Sequence, residues 1–187
     1  DVSVGRDTRI EPGSVIQGQT RIGERCHVKP GGVIEESVLG DDVVVGPSAH
    51  LRPGCLLGDG VRIGNFVEVK NANLGAGVKA DHLSYIGDAD VEAGSSFGCG
   101  SITVNYDGIA KHRTTVGKNV FIGCNANLIA PVVLADESFV AAGSTVTRDV
   151  PEGALTVARA RQHDVEGWRA RRNRRQEKSS PKSETEK

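Results

Sequence analysis

The sequence predicts an all-β fold in which the chain winds into a parallel β-helix of stacked triangular turns. The first observation is a six-residue spacing of apolar residues that begins at Val4 and holds, with short slips, through most of the chain. The second is a small or β-branched residue four positions after many of these residues, and the third is a frequent glycine directly after them. Repeats of six residues are typical of parallel β-helices, because a short strand and a corner fill six positions.

The repeated apolar positions run through five blocks, which we expect to supply the strands in order. They are Val4, Ile10, Ile16, Ile22, Val28 and Ile34; Leu39, Val45, Leu51, Leu57, Ile63 and Val69; Leu74, Ala80 and Ile86; Val91, Phe97 and Thr103; and Val116, Ile122, Leu128, Leu134, Val140 and Val146. We call them openers and expect each to point into the prism, with its side chain packed only against neighbouring turns. Glycine would supply the backbone angles of tight corners.

A β-sandwich of short strands is the alternative fold. It would show alternating apolar residues, with turn signals every eight to twelve residues. The spacing of six persists over long runs, and aromatic residues make up only 4% of the chain, which suits a narrow prism filled by aliphatic side chains. The β-helix is therefore the better prediction.

We expect one β-helix domain over residues 1–157 and a basic tail over residues 158–187. The tail carries five arginines between residues 169 and 175, followed by a stretch rich in Ser, Lys and Glu. That composition predicts a solvated segment, disordered after about residue 170. Its charge alone would allow nucleic-acid binding, but no stacking aromatic residues accompany it, so we expect no nucleic-acid partner.

Other partners and compartments are also limited by the sequence. No apolar run reaches membrane-spanning length and no signal peptide is visible, so we expect no membrane association. Cys26 and Cys55 occupy inward positions for small residues, and no CxxC pair is present. We therefore expect no metal site and no disulfide framework, and a cytoplasmic setting. The repeat is already under way near Asp1, which suggests a part of a longer polypeptide.

Two cations define a candidate anion site. Arg52 and Lys70 each directly follow an opener and are eighteen residues apart, so they should stack on adjacent turns. Two cations about 5 Å apart repel each other unless an anion lies between them. Phosphate suits the guanidinium and the ammonium. The alternative is that a carboxylate such as Glu68 neutralises them.

A histidine and a break in the repeat lie close to these cations in the sequence. His82 is two residues after an opener, where its side chain can leave the prism, and we expect it at the same seam as the two cations. A pKa near 6.5 suits a general base at neutral pH; the alternative is an incidental surface histidine. The repeat breaks over residues 105–115, NYDGIAKHRTT, which predicts an extruded loop.

Several motifs resemble one family. They are LRPG at 51–54, GNFVEVKNANLGAGVKADHLSYIGDADV at 64–91, SITVNYDG at 101–108, KHRTTVG at 111–117, LIAPV at 128–132, AAGSTVTRDVPEGAL at 141–155, and Gln162 with EGW at 166–168. Together they resemble the C-terminal acetyltransferase domain of the bacterial bifunctional N-acetylglucosamine-1-phosphate uridyltransferase/glucosamine-1-phosphate N-acetyltransferase. HLSYIGDA and NYDG are specific to that family, whereas the six-residue repeat is shared by many acyltransferases.

The resemblance implies a left-handed β-helix, which departs from the usual right-handed crossover rule. It implies a homotrimer with active sites between subunits. The implied reaction transfers acetyl from acetyl-CoA, as co-substrate, to the amine of glucosamine 1-phosphate, for the synthesis of UDP-N-acetylglucosamine, peptidoglycan and lipopolysaccharide. The Mg²⁺-dependent uridyltransferase domain of the family would be absent from this chain, and the acetyltransferase domain would need no metal.

The resemblance also assigns roles to residues. His82 matches the catalytic base. The residues that match the sugar-phosphate site are Arg52, Lys70, Tyr85, Ser96 and Asn105. The residues that match the acetyl-CoA site are Cys99, Asn105, Tyr106, Cys124, Ala142 and Arg159.

Three of these positions depart from the family. Ser96 stands where Asn is frequent, Cys99 where Ala is common and Cys124 where Ser is common. A thiol is a weaker hydrogen-bond partner than a hydroxyl, so Cys124 should hold the acetyl group less firmly. An acyl-enzyme on Cys124 is conceivable, but direct transfer fits the family.

Two other functions remain open. One is a different hexapeptide acyltransferase that uses another amino sugar or an acyl-carrier-protein donor. The other is a non-catalytic scaffold, which would have no need for stacked cations beside a histidine.

Overall fold

The computed structural model describes residues 1–179, with side chains through residue 175, and within them shows three sheets of short parallel strands. Face 1 comprises β1 (Val2–Val4), β4 (Thr20–Ile22), β7 (Val38–Leu39), β10 (Leu56–Leu57), β13 (Asn73–Leu74), β16 (Ala89–Val91), β19 (Thr114–Val116) and β22 (Val132–Leu134). Face 2 comprises β2 (Arg9–Ile10), β5 (His27–Val28), β8 (Val44–Val45), β11 (Arg62–Asn65), β14 (Lys79–His82), β17 (Ser96–Phe97), β20 (Phe121–Ile122), β23 (Phe139–Val140) and β25 (Leu155–Thr156). Face 3 comprises β3 (Val15–Gln17), β6 (Val33–Glu35), β9 (His50–Leu51), β12 (Glu68–Lys70), β15 (Tyr85–Gly87), β18 (Ile102–Val104), β21 (Asn127–Ile129) and β24 (Thr145–Val146).

The chain visits the three faces in rotation as far as β24, so each strand up to β21 pairs in parallel with the strand three places further along; at the end of the stack, β23 pairs with β25. Ile10 pairs with Val28, eighteen residues on, whereas Ile22 pairs with Leu39, seventeen residues on. The slips in the sequence repeat are therefore turns that are one residue shorter. The predicted fold class, a left-handed parallel β-helix, is confirmed.

The core is the column of openers inside the prism. Leu51, Ile63 and Leu128 are fully buried, and the small residues Ala49 and Cys55 are buried beside the corners. Burial of an aliphatic side chain contributes about 1.5–3 kcal/mol, and each turn gains it only from its neighbours. The burial expected for the openers is thus observed from Ile22 onward, whereas Val4 and Ile10, in the first turn, are each 43% exposed.

The corner between face 2 and face 3 repeats one backbone conformation on successive turns. Phe66, Leu83, Gly100, Asn125 and Gly143 all have positive φ there. Positive φ is uncommon for residues other than glycine, so the geometry of the coil imposes this conformation even on Phe66 and Leu83. A corner built in this way places the preceding residue of each turn in the same position.

Two features leave the regular ladder. The predicted loop emerges after β18 and ends at Arg113, because β19 begins at Thr114, so it stops two residues before the expected end of 105–115. After β25 the chain reaches a helix, α1 (Trp168–Ser179).

The helix corrects part of our expectation for the tail. We expected disorder after about residue 170, but the structure places α1 there, and residues 180–187 lie outside the described part of the chain. Alanine and arginine have high helix propensity, and the Arg172 guanidinium lies 5.3 Å from the centre of the Trp168 ring. Composition alone suggested a solvated coil; local propensity and this cation–π contact favour a helix. Within residues 1–179, no helix has both the length and the apolar character needed to span a bilayer.

Candidate active site

Four predicted site residues form a single column along the corner between face 2 and face 3. Each follows a buried opener by two positions; they are His82, Cys99, Cys124 and Ala142. The register pairs Ala80 with Phe97, Phe97 with Ile122, and Ile122 with Val140, so the four openers stack on successive turns. We name these four residues the His82 column.

Backbone hydrogen bonds hold the column together. The N–H of Asn125 donates to the carbonyl of Cys99 at 2.8 Å, and the N–H of Gly143 donates to the carbonyl of Cys124 at 2.8 Å. A Cβ built on Gly143 would lie 3.9 Å from Cδ of Arg159, which places Arg159 at the Ala142 end of the column. The column therefore brings the predicted base and three predicted acetyl-CoA residues to one edge of the prism, with Arg159, a fourth, at its end.

The imidazole of His82 is exposed and oriented by an amide. Its Nδ1 lies 2.8 Å from Oδ1 of Asn65, which occupies the same corner position on the preceding turn. An amide oxygen only accepts hydrogen bonds, so Nδ1 of the neutral ring carries the proton and Nε2 presents a lone pair. Sequence reasoning missed Asn65, although it lies two residues after opener Ile63, just as His82 lies two residues after opener Ala80.

Arg52 and Lys70 lie on face 3, at the opposite edge. Leu51 pairs with Val69, so the two cations that follow these residues are side by side on adjacent turns, as the spacing predicted. Nη1 of Arg52 donates to Oε1 of Glu68 at 2.9 Å, so the carboxylate considered as a neutralising partner does contact one cation. Nζ of Lys70 is 3.7 Å from the Asp88 carboxylate, and its side chain is only 19% exposed.

Lys111, from the loop, adds a third cation to this edge. The ammonium of Lys70 lies beside it and lowers the pKa of Lys111, because like charges disfavour the protonated form. We call Arg52, Lys70 and Lys111 the cation cluster. The sequence predicted the loop but did not place Lys111, because the path of an irregular loop is not encoded in the repeat.

Amide and carboxylate groups form the floor of the cation cluster. Asn105 is 8% exposed, and its Nδ2 donates to Asp88 and, at 3.3 Å, to the phenol oxygen of Tyr85. Asn71 donates to the other oxygen of Asp88 at 2.5 Å. Burial opposes ionisation of Asp88, but the hydrogen bonds from Asn71 and Asn105 and the charge of Lys70 lower its pKa.

Tyr85 runs along face 3 toward this floor. A Cβ on Gly87 would overlap its phenol oxygen, so the absence of a side chain at Gly87 lets the ring lie flat on the sheet. Tyr85 thus joins Arg52, Lys70 and Asn105 in one region. Asp88 and Asn71 belong to it too; both lie within the motif quoted at 64–91, but the sequence assigned neither a role.

The loop is fixed internally by Asp107. Its Oδ1 accepts the N–H groups of Ile109 and Ala110 at 2.7 Å each, and its Oδ2 lies 2.7 Å from Nε2 of His112. These contacts, above all the Ala110 N–H, hold the pKa of Asp107 well below its usual range. Tyr106 is exposed and donates to the carbonyl of Gly108 at 2.7 Å.

The end of the loop is anchored to face 1 by Arg113. Its Nε and Nη2 donate to the two oxygens of Asp90 at 2.7 and 2.6 Å, a bidentate pair. It also donates to the carbonyls of Ala89 and Asn71. Lys111, two residues earlier, is therefore held near the corner between face 3 and face 1.

One expectation about the site is wrong for a single chain. We expected His82 at the same seam as the cations, but the His82 column and the cation cluster lie at opposite edges of face 3. The strand between them, β15, has three residues and spans about 10 Å at 3.3 Å per residue. Arg52 and Lys70 each lie one position after an opener of face 3, whereas His82 lies two positions after an opener of face 2. They therefore project from different corners of the prism.

Ser96 is partly buried on the outer side of face 2, three residues before Cys99. It pairs with Lys79 and Phe121 and is in neither group. Among the residues that the structure describes, no group of three or more His, Cys, Asp or Glu side chains is arranged to hold a metal ion.

Fold and repeat together define a class of hexapeptide-repeat β-helix proteins. The profile described as "Bacterial transferase hexapeptide (six repeats)" matches residues 1–36, 36–71 and 113–148, more than half of the sequence. The chain belongs to this family.

Curated relatives narrow the class. The chain is 51% identical over 189 residues to "Bifunctional protein GlmU" of Caldicellulosiruptor saccharolyticus, with 92% of this chain and 41% of the relative covered. It is 53% identical over 184 residues to the protein of the same name from Geobacillus sp. strain WCH70, with 90% and 40% covered. The resemblance drawn from the motifs is thereby confirmed, and the chain spans about two fifths of the length of these relatives.

Solved structures share the fold. A mutant of perosamine N-acetyltransferase from Caulobacter crescentus, in complex with CoA and GDP-perosamine, is 25% identical with a TM-score of 0.52, covering 59% of this chain and 52% of that chain. A putative acetyltransferase from Desulfovibrio desulfuricans G20 is 12% identical with a TM-score of 0.53, covering 87% and 56%, and shows the fold alone.

Proposed function

We propose that the chain transfers the acetyl group of acetyl-CoA to the amine of glucosamine 1-phosphate. The observation that carries this proposal is the cation cluster, in which three positive side chains meet at one edge of face 3. Among the described residues they outnumber the carboxylates in contact with them, Glu68 at Arg52 and Asp88 at Lys70. A phosphate monoester fits such a site, because it can bridge Arg52, Lys70 and Lys111 and relieve their mutual repulsion. The relatives named bifunctional GlmU, and an amino-sugar N-acetyltransferase with the same fold, support the acyl-transfer chemistry.

The His82 column supplies the general base and the residues that would bind acetyl-CoA. The neutral amine of the sugar attacks the thioester carbonyl, and Nε2 of His82 accepts its proton as the C–N bond forms. The C–S bond then breaks, and the thiolate of CoA leaves. Backbone N–H groups at Cys99 or Ala142 would stabilise the negative charge on the carbonyl oxygen. Tyr106, Cys124 and Arg159 would contact acetyl-CoA, and Ser96 the sugar.

The separation of the two groups supports assembly as a homotrimer. The amine and the phosphate of the substrate are on neighbouring ring carbons, so the base and the cations must come within a few ångströms of one substrate. In one chain, the width of face 3 keeps them apart. A neighbouring copy that turns its His82 column toward this cation cluster completes the site, and three copies close the ring by such head-to-tail contacts.

The product would enter the synthesis of UDP-N-acetylglucosamine for peptidoglycan and lipopolysaccharide. We place the chain in the cytoplasm, where its four cysteines, all free thiols in this structure, would remain reduced,. The reaction itself needs acetyl-CoA as co-substrate and no metal ion.

The direct test is CoA release by this chain with and without glucosamine 1-phosphate. Release that depends on the sugar phosphate, with an N-acetylated product, supports the proposal. Release with a different amino sugar only, or transfer only from an acyl-carrier protein, would point to another hexapeptide acyltransferase. No release with any acceptor would point to a scaffold.

A further inference from the structure

Two thiols lie on adjacent turns of the His82 column. Cys99 and Cys124 follow openers that pair in register, and the carbonyl of Cys99 accepts the N–H of Asn125, the residue after Cys124. The backbones are in close contact, because a Cβ built on Gly98 would come 2.9 Å from Cα of Cys124. The two cysteines are twenty-five residues apart in the sequence and neighbours in space.

The geometry of this pair suits a covalent link. Aligned residues on neighbouring parallel strands are about 4.8 Å apart, and disulfides join Cα atoms separated by about 4.4–6.8 Å. Both side chains leave the prism at the same corner, so their Cβ vectors run in the same direction. Both thiols are free; Cys124 is exposed and Cys99 is partly buried.

The other two cysteines provide an internal contrast. Cys26 and Cys55 are buried in the core, and burial raises the pKa of both thiols. Their sulfurs contact backbone carbonyls, Gly40 at 3.1 Å for Cys26 and Arg52 at 2.9 Å for Cys55. Because the thiolate is the reactive form and needs access to its target, these two thiols should be inert under conditions in which the corner pair reacts.

We propose that Cys99 and Cys124 form a dithiol site that reacts with low-molecular-weight disulfides and closes to an intramolecular disulfide. The exposed Cys124 thiolate attacks one sulfur of the small disulfide, a mixed disulfide forms, and one small thiolate leaves with the bonding electrons. The Cys99 thiolate then attacks the Cys124 sulfur and releases the second small thiolate. The two protein thiols are oxidised, the small disulfide is reduced to two thiols, and the two protons are taken up by the departing thiolates.

The consequence for activity rests on the proposed function. The column faces the acyl donor in that proposal, and a disulfide between Cys99 and Cys124 would draw both side chains to the place where the thioester has to lie. Oxidation of the pair would therefore suppress acetyl transfer, and reduction would restore it.

The test uses the full chain and 2-hydroxyethyl disulfide at about pH 8, where an ordinary thiol is partly ionised. Remaining thiols are alkylated, and peptide mapping by mass spectrometry locates the linked cysteines. The expected result is a Cys99–Cys124 cross-link that dithiothreitol reverses, with Cys26 and Cys55 alkylated as thiols. The single variants Cys99→Ala and Cys124→Ser should instead carry one stable mixed disulfide at the remaining cysteine.

The proposal is overturned if both corner thiols carry separate adducts without a cross-link, if neither reacts, or if Cys26 and Cys55 react equally fast. Acetyl transfer is measured on the same samples and should fall in proportion to the cross-linked fraction. The activity of a Cys99→Ala/Cys124→Ser double variant, whatever its starting level, should not change with the oxidant. If the cross-link forms but the reduced protein never transfers acetyl, the result would count against the proposed function and leave the dithiol site intact.

Discussion

Replacing Lys70 with alanine tests the phosphate site most directly. The ammonium lies 3.7 Å from Asp88 and beside Lys111, and its side chain is only 19% exposed. In the proposed complex it would donate to a phosphate oxygen in a partly desolvated setting. Its removal takes away one charge-assisted hydrogen bond and leaves Arg52 and Lys111 in place.

The magnitude follows from that single contact. A hydrogen bond to a charged group contributes about 1.5–3 kcal/mol, and each 1.36 kcal/mol is a factor of ten, so the KM for glucosamine 1-phosphate should rise by about 10- to 150-fold. Lys70 positions the substrate and takes no proton, so kcat should change much less. Asp88 keeps the hydrogen bonds from Asn71 and Asn105, so the free energy of unfolding should fall by less than about 1 kcal/mol.

The assay is the rate of CoA release against sugar-phosphate concentration at saturating acetyl-CoA. Lys118→Ala is the matched control, because it removes one exposed lysine on another corner of the prism. The reasoning is refuted if Lys70→Ala leaves KM unchanged, or if Lys118→Ala raises it equally.

Further predictions concern the base, the loop and the core. His82→Ala should lower kcat by about 10²- to 10⁴-fold with a smaller change in KM; turnover near that of the parent chain would remove its role as base. Arg113→Ala should free the loop, so that limited proteolysis cuts within residues 105–113 faster and KM for the sugar phosphate rises, whereas unchanged proteolysis would show that Arg113 is no anchor. Arg113 lowers the pKa of Asp90, so this pair stabilises the fold above the ordinary carboxyl pKa of about 3.9 and loses its effect as pH falls through the lower folded value. The difference in Tm between the parent chain and Asp90→Asn should therefore shrink in acid, and a constant difference would contradict the ion pair. Leu51→Ala, at a fully buried opener, should cost about 2–5 kcal/mol by denaturant unfolding, and a cost as small as that of a surface substitution, within about 0.5 kcal/mol, would contradict its place in the core.

The fold could be predicted because its physical cause is local and repeated. Every opener meets the same requirement, an aliphatic side chain inside a narrow prism, so one rule applied along the chain places Leu51, Ile63 and Leu128 correctly. The same rule put Arg52 and Lys70 on adjacent turns of one wall.

The candidate site could be predicted only in part, because its remaining features depend on contacts between distant residues. Arg113 reaches Asp90, twenty-three positions earlier, and the position of Lys111 depends on that contact. The distance between His82 and the cations depends on where each corner falls, which a repeat count does not show. Helix α1 depends on propensity outside the repeat, where composition had suggested disorder.

The loop leaves the coil without breaking it. Val91 pairs with Val116, twenty-five positions further on, whereas Val116 pairs with Leu134 after only eighteen, and the ladder of face 1 continues through both pairings. The extra residues are thus accommodated entirely at one corner, between Val104 and Thr114, at no expense to the stack. In the proposed reaction, a different segment grafted there would change the groups that contact the acceptor while the β-helix stays the same. This corner is therefore the place at which the specificity for the acceptor sugar could be redesigned.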